Sequence, residues 1–149
     1  MSKESCPVLL VEDNEDHVVM TIEALCSGGV KAQVNVATDG EAALDYLYAR
    51  DGFKDRNKYP LPKLVLLDIK MPKLDGMEVL KKIKSDPDLR AIPVVMLTTS
   101  ENQEDIDEAY ACGANSYVVK SFNFDIFFQK VEGLQRYWLG LTTFPKNAS

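Results

Sequence analysis

Short unbroken apolar runs alternate along this chain with longer stretches in which apolar residues recur every three or four positions. Val8 to Val11, the segment around Val34 and Val36, Leu64 to Leu67, Val94 to Leu97 and Ser116 to Val119 are the short runs. Their length and valine-leucine content predict strands buried on both faces. Between them, Val18, Val19, Ile22, Leu25 and Cys26 fall on a helical period from Asn14 to Cys26, ended by Gly28-Gly29. Ala42, Ala43, Leu44, Leu47 and Tyr48 mark a second helix, and "TDGE" offers Thr38 as its N-cap with Glu41 completing a capping box. Asp75 with Glu78 opens a third helix, through Val79, Leu80 and Ile83 to Ser85. Ser100 with Gln103 repeats the signal before an acidic fourth helix that stops at Gly113. Phe122 or Asn123 opens the fifth, which reaches Leu139, and the polar stretch from Asp51 to Lys63 reads as a loop.

Strands buried on both faces and joined by helices predict a parallel α/β sheet with helices on both sides and right-handed crossovers. The expected fold is flavodoxin-like, five strands in the order 2-1-3-4-5. It forms one domain over residues 1–141, with a short tail over 142–149 that is loose beyond Pro145.

In such sheets, sites form outside the carboxyl ends of the strands. Here those ends carry Glu12-Asp13, Thr38-Asp39, Asp68, Thr98-Thr99 and Lys120-Ser121. Crowded carboxylates repel and need compensating cations. Lys120 supplies one charge, and a divalent ion would supply two more. Oxygen donors without histidine or thiolate favour Mg²⁺ over zinc. The expected arrangement has Asp13 and Asp68 as direct ligands, Glu12 through water, and the backbone carbonyl of Lys70 as a further oxygen. This set suits phosphoryl transfer, where catalysis is mostly positioning and charge neutralisation. Asp68 would be the nucleophile and would become an aspartyl phosphate, with Lys120 and the Thr98 hydroxyl on the phosphoryl oxygens.

Composition narrows the field further. The 149 residues carry a formal net charge of -6, which disfavours non-specific nucleic-acid binding. The cysteines Cys6, Cys26 and Cys112 are odd in number and have no metal-ligand spacing, which fits a reducing cytoplasm. No apolar run approaches the roughly 18 residues of a membrane span. No G-x-x-x-x-G-K follows the first strand, which argues against nucleotide binding.

"VED", "LLDIKMP", "LTTS" and "YVVK", in that order, resemble the response-regulator receiver domain, the CheY-like family, from Pro7 to about Leu139. The resemblance implies that Asp68 takes a phosphoryl group from a phosphohistidine on a partner histidine kinase, with Mg²⁺. It also implies that Tyr117 is a switch aromatic that follows Thr98. The sequence departs from the family in having Ser121 where proline usually follows the lysine. "VVKSFN", "YWLGLTTFP" and the polar insert at Asp55 to Tyr59 are similar to the single-domain regulators paired with cyanobacterial and bacterial phytochromes. That likeness implies a light-sensing kinase and a homodimer.

Two other functions fit parts of the pattern. A haloacid-dehalogenase-like phosphohydrolase also uses a strand-end aspartate, but it wants an acid where Lys70 stands. A receiver-like binding module that is never phosphorylated would have no need of such crowded charge.

On an ideal helix, Asp125, Gln129, Glu132 and Arg136 occupy one narrow side of the last helix, and apolar residues fill most of the rest. That spread exceeds the stripe of about 100° that packing on a sheet requires. Phe124, Phe128, Val131, Tyr137 and Trp138 are therefore expected at a homodimer interface. His17, beside the acids, is expected to pack, cap or face the kinase rather than take part in chemistry.

Overall fold

The computed structural model describes residues 6–28 and 31–145. Its strands are β1 (Cys6–Val11), β2 (Ala32–Ala37), β3 (Leu64–Leu67), β4 (Val94–Thr98) and β5 (Ser116–Val119). Its helices are α1 (Glu15–Leu25), α2 (Gly40–Leu47), α3 (Gly76–Ser85), α4 (Gln103–Ala111) and α5 (Phe124–Leu134). The strands are all parallel and lie in the order β2-β1-β3-β4-β5, as expected. β3 and β4 are buried throughout, because helices cover both faces of the sheet.

Successive strand residues point to opposite faces, and this divides the core in two. Leu9, Val11, Val65, Leu67, Val94 and Met96 pack with α2 and α3 on one side. Val8, Leu10, Leu64, Leu66, Val95 and Leu97 pack with α1 and α5 on the other.

Two helix starts differ from the sequence reading. Asp39, not Thr38, caps α2, its Oδ1 accepting the Ala42 N–H at 2.8 Å. Gly40, the first residue of the helix, lies against the Leu74 backbone, where a side chain would overlap the Leu74 carbonyl. Asn102, not Ser100, caps α4, accepting the Glu104 N–H at 2.9 Å. The Ser100 hydroxyl instead donates to Asp105 Oδ2 at 2.6 Å. Asp75 and Asn123 cap α3 and α5 as their positions predict. Of the glycines expected to end α1, Gly28 lies over the side chain of buried Gln135, and Gly29 lies outside the described residues.

The loop after α2 is more ordered than its polarity suggests. It contains a 3₁₀ turn, Asp51–Phe53. The Arg56 guanidinium donates to the carbonyls of Tyr46, Leu47 and Tyr59 at 2.7–3.0 Å, which ties the loop to the end of α2. Tyr46, Phe53 and Tyr59 stack against one another with ring centroids 5.1–5.8 Å apart.

α5 continues into a π-helical stretch, Gln135–Leu141. After it, the Thr142 N–H donates to the Tyr137 carbonyl at 2.8 Å, and Phe144 packs on the α1–α5 side of the core. The tail expected to be loose beyond Pro145 lies outside the described residues. Among the described residues, no helix is long and apolar enough to cross a membrane.

Val131 corrects the interface expectation. It is fully buried in this chain's own core and offers no surface to a second molecule, because the α1–α5 crevice takes it inward. Phe128 and Trp138 are half-buried against the same core. Phe124 and Tyr137 are about half exposed, and Phe122, Ile126 and Leu141 join them on the surface.

Candidate functional site

The parallel ladder brings distant residues level at one edge. Val11 pairs with Ala37 on one side and Leu67 on the other, and Thr98 pairs with Val119. Backbone bonds then carry the register one residue further. The Glu12 N–H donates to the Ala37 carbonyl, Asp68 N–H to Val11 and Lys120 N–H to Thr98, at 2.7–3.1 Å. Glu12, Asp68 and Lys120 thus start from adjacent strand ends.

Carboxylate oxygens of Glu12, Asp13 and Asp68 lie within 4.8 Å of one another. Glu12 is buried and Asp13 exposed, with Asp68 between these extremes. Asp68 Oδ1 accepts the Ile69 N–H at 2.7 Å. The buried Lys120 ammonium donates to Glu12 Oε1, and to Asp68 Oδ2 at 3.2 Å. Glu12 Oε2 accepts the Asn14 N–H at 3.1 Å.

Three carboxylates facing one ammonium leave an excess of negative charge, and all the acidic donors are hard oxygens. A hard divalent cation fits this set. Asp13, the acid without a Lys120 contact and the one open to solvent, stands where an ion would enter.

Burial pushes the Glu12 carboxyl above its ordinary value of 4.5, outweighing the pull of Lys120. Burial, with Lys120 next, lowers the His17 imidazole below 6.5. Both shifts become slopes of stability against pH. For Glu12 the folded chain binds the proton more readily, so its contribution is full below 4.5 and is lost as pH rises to the raised folded value. For His17 the contribution is full above 6.5 and is lost as pH falls below it. Urea unfolding in chelator across this range is therefore expected to show wild type losing stability as pH rises above 4.5 and Glu12→Gln lacking that slope. Added Mg²⁺ should narrow the difference by stabilising the Glu12 carboxylate of the wild type.

The remaining predicted residues lie close by. Thr98 is buried at the end of β4, its hydroxyl accepting the Ser100 N–H at 3.4 Å. Tyr117 of β5 is half-buried, and its hydroxyl donates to the Ser100 carbonyl at 2.9 Å. Burial raises the Tyr117 phenol above its usual value. The Lys70 side chain is exposed just after the Asp68–Ile69 turn. Ser121 follows Lys120, and its hydroxyl accepts the Asn123 N–H at 3.0 Å.

The sequence reading missed one member of this cluster. His17 Nδ1 lies 2.9 Å from Lys120 Nζ. The signal was available: His17 is three residues past the cap Asn14, and a helical side chain covers the turn before its own Cα. Its first-turn position therefore aims it back over the end of β1.

The fold and this edge define a class, a doubly wound parallel α/β domain with an acid cluster and a buried lysine at the strand ends. The chain belongs to the response regulator receiver domain family, which it matches over residues 8–132. It is 39% identical over 148 residues to the response regulator Rcp1 of Synechocystis, covering 97% of this chain and 99% of that protein. The solved structure of the phosphorylated cyanobacterial phytochrome response regulator RcpA is 40% identical, with a TM-score of 0.90. The match covers 96% of this chain and 100% of that one. The Mn²⁺-bound form of Rcp1 is 38% identical with a TM-score of 0.89, covering 95% and 99% of the two chains. Of these, RcpA is a cyanobacterial phytochrome response regulator, and the family match sets the hydrolase alternative aside.

Proposed function

We propose that this chain is a response regulator of a two-component phosphorelay that accepts a phosphoryl group on Asp68. The observation that carries the reading is the buried Lys120 ammonium bridging Glu12 and Asp68 beside a three-carboxylate cluster.

In the forward step, one Asp68 carboxylate oxygen attacks phosphorus. The Asp68 O–P bond forms as the donor's P–N bond breaks, and the electron pair leaves with an imidazole protonated at its other nitrogen. No general base is needed, because the carboxylate is already ionised. Lys120 turns from the Asp68 oxygen toward a phosphoryl oxygen, and the Thr98 hydroxyl takes another. Glu12, Asp13, Asp68 and the Lys70 carbonyl would hold Mg²⁺, Glu12 through water, and the ion would neutralise the charge gathering on the phosphoryl oxygens. Movement of Thr98 toward the phosphoryl group would free Tyr117 to leave its Ser100 contact and change the surface beside β5.

The donor is a histidine kinase of the phytochrome class. Support comes from the near full-length likeness to RcpA and Rcp1 and from the ordered insert around Arg56. The test is incubation with acetyl phosphate and Mg²⁺ followed by intact-mass measurement. One phosphoryl group, absent when the metal is chelated, is the expected result. An unlabelled wild-type chain would instead favour the receiver-like binding module.

Exposed Phe122, Phe124, Ile126, Tyr137 and Leu141 support a homodimer built on α5 and its π-helical extension. Tyr137 and Trp138 pack edge to face, with centroids 5.2 Å apart, and so present a preorganised aromatic pair. Sedimentation over a concentration series is expected to show dimers, and Tyr137→Glu is expected to weaken them by at least about tenfold, as loss of an interface aromatic does. A strict monomer at high micromolar concentration, with and without phosphorylation, would defeat this part of the reading.

A further inference from the structure

Lys120 Nζ has three partners from three separate segments. Glu12 Oε1 lies at the end of β1, Asp68 Oδ2 at 3.2 Å lies at the end of β3, and His17 Nδ1 at 2.9 Å lies in the first turn of α1. An ammonium has three N–H donors and no lone pair. A ring nitrogen at hydrogen-bond distance from it must therefore be an unprotonated acceptor, which places the imidazole proton on Nε2. The Asn14 side chain caps the His17 backbone N–H at 3.1 Å, which fixes the first turn of α1, and Phe127 of α5 packs on the ring with centroids 5.9 Å apart.

We propose that His17 is a positioning residue for phosphoryl transfer, its neutral imidazole fixing the Lys120 ammonium over Asp68. The inference rests on reading Asp68 as the phosphoacceptor. A long, flexible lysine stem held at one or two points would still have to be ordered during the reaction. A third acceptor orders it beforehand, and preorganised charge costs no rearrangement as the reaction proceeds. The chemistry of that acceptor matters. A carboxylate at position 17 would neutralise Lys120 further and compete with the phosphoryl group for its N–H. A neutral nitrogen holds the ammonium while leaving its charge available. The N–H now on Asp68 is then the one that turns to the phosphoryl oxygen, with Glu12 and His17 as fixed anchors.

The experiment has a metal-free arm and a kinetic arm. His17 is the chain's one histidine, so its imidazole nitrogens are identified without ambiguity. Long-range ¹H–¹⁵N spectra at neutral pH without metal or phosphodonor are expected to show a protonated Nε2 and an acceptor Nδ1 whose signal moves in Lys120→Met. A protonated Nδ1, or a signal indifferent to Lys120→Met, would overturn the proposal. In the kinetic arm, His17→Asn keeps an acceptor at the reach of Nδ1, whereas His17→Leu keeps apolar packing on Phe127 and removes the acceptor. His17→Leu is expected to slow labelling by acetyl phosphate about tenfold, the scale of one hydrogen bond to a charged group, with His17→Asn restoring the rate to within about threefold. Both variants at the wild-type rate, or both equally slow, would overturn the positioning role. An unlabelled wild type would remove the phosphoacceptor reading itself, and the imidazole signals would still decide the Lys120 contact.

Discussion

Asp68→Asn is expected to lose phosphoryl labelling by acetyl phosphate, falling by at least about 10³-fold as removal of a nucleophile does. The substitution keeps the shape of the side chain and removes its charge. An amide oxygen can still accept the Ile69 N–H or the Lys120 ammonium, but it is not a competent nucleophile toward phosphorus. Glu12 retains Lys120 in the variant, so the fold at the strand edge should survive and the loss should be chemical. The wild type should gain one phosphoryl group, lost on treatment with base or hydroxylamine as an acyl phosphate is. Undiminished labelling of Asp68→Asn would place the reaction on another side chain and end the assignment. Asp13, exposed and within the same cluster, would then be the next carboxylate to replace.

Gly76→Ala is expected to have the largest effect on the fold of the site without touching any of its functional groups. Gly76 is the first residue of α3, and its N–H donates to the Ile69 carbonyl at 2.7 Å. A Cβ there would overlap the Asp68 carbonyl oxygen, 2.8 Å from the carbonyl carbon and 2.9 Å from Ile69 Cα. Backbone cannot swing aside as a flexible side chain does, so α3 or the end of β3 must shift. Overpacking of this kind costs about 3 kcal/mol. For a domain of this size that is roughly 6–12 °C in Tm. Labelling of Asp68 should slow as well, because the Asp68–Ile69 turn carries the nucleophile. Gly133 in α5 supplies the control, since a Cβ there meets nothing within 4 Å. Gly133→Ala should be neutral or stabilise by up to about 1 kcal/mol through helix propensity. Equal melting temperatures for Gly76→Ala and wild type would refute the packing argument.

Much of this edge was legible because the chemistry sits where the hydrophobic pattern stops. Leu64 to Leu67 has to be a buried strand, and Asp68 is the first residue that cannot continue it. The same holds for Val11 before Glu12 and Val119 before Lys120. The errors were local competitions that the pattern does not score. Thr38 and Asp39 both offer a capping oxygen, and Asp39 is the one whose carboxylate takes the Ala42 N–H. Ser100 and Asn102 both precede α4, and the contact of Ser100 with Asp105 left Asn102 as the cap.

What the amino-acid order determined alone, the 3₁₀ turn after α2 and the π-helical end of α5 excepted, is therefore the five strands and five α-helices, the parallel sheet and the set of polar residues at its carboxyl edge. Each of these follows from periodicity and burial within one segment. Only the tertiary structure decided that Val131 turns inward while Tyr137 faces solvent, since that depends on where α1 lies across the sheet. Only it joined His17 to Lys120, a contact spanning 103 positions of sequence. The sequence carries only the aim of His17 back over the end of β1; its meeting with Lys120 is set by the packing of separate elements and not by the spacing of residues along the chain.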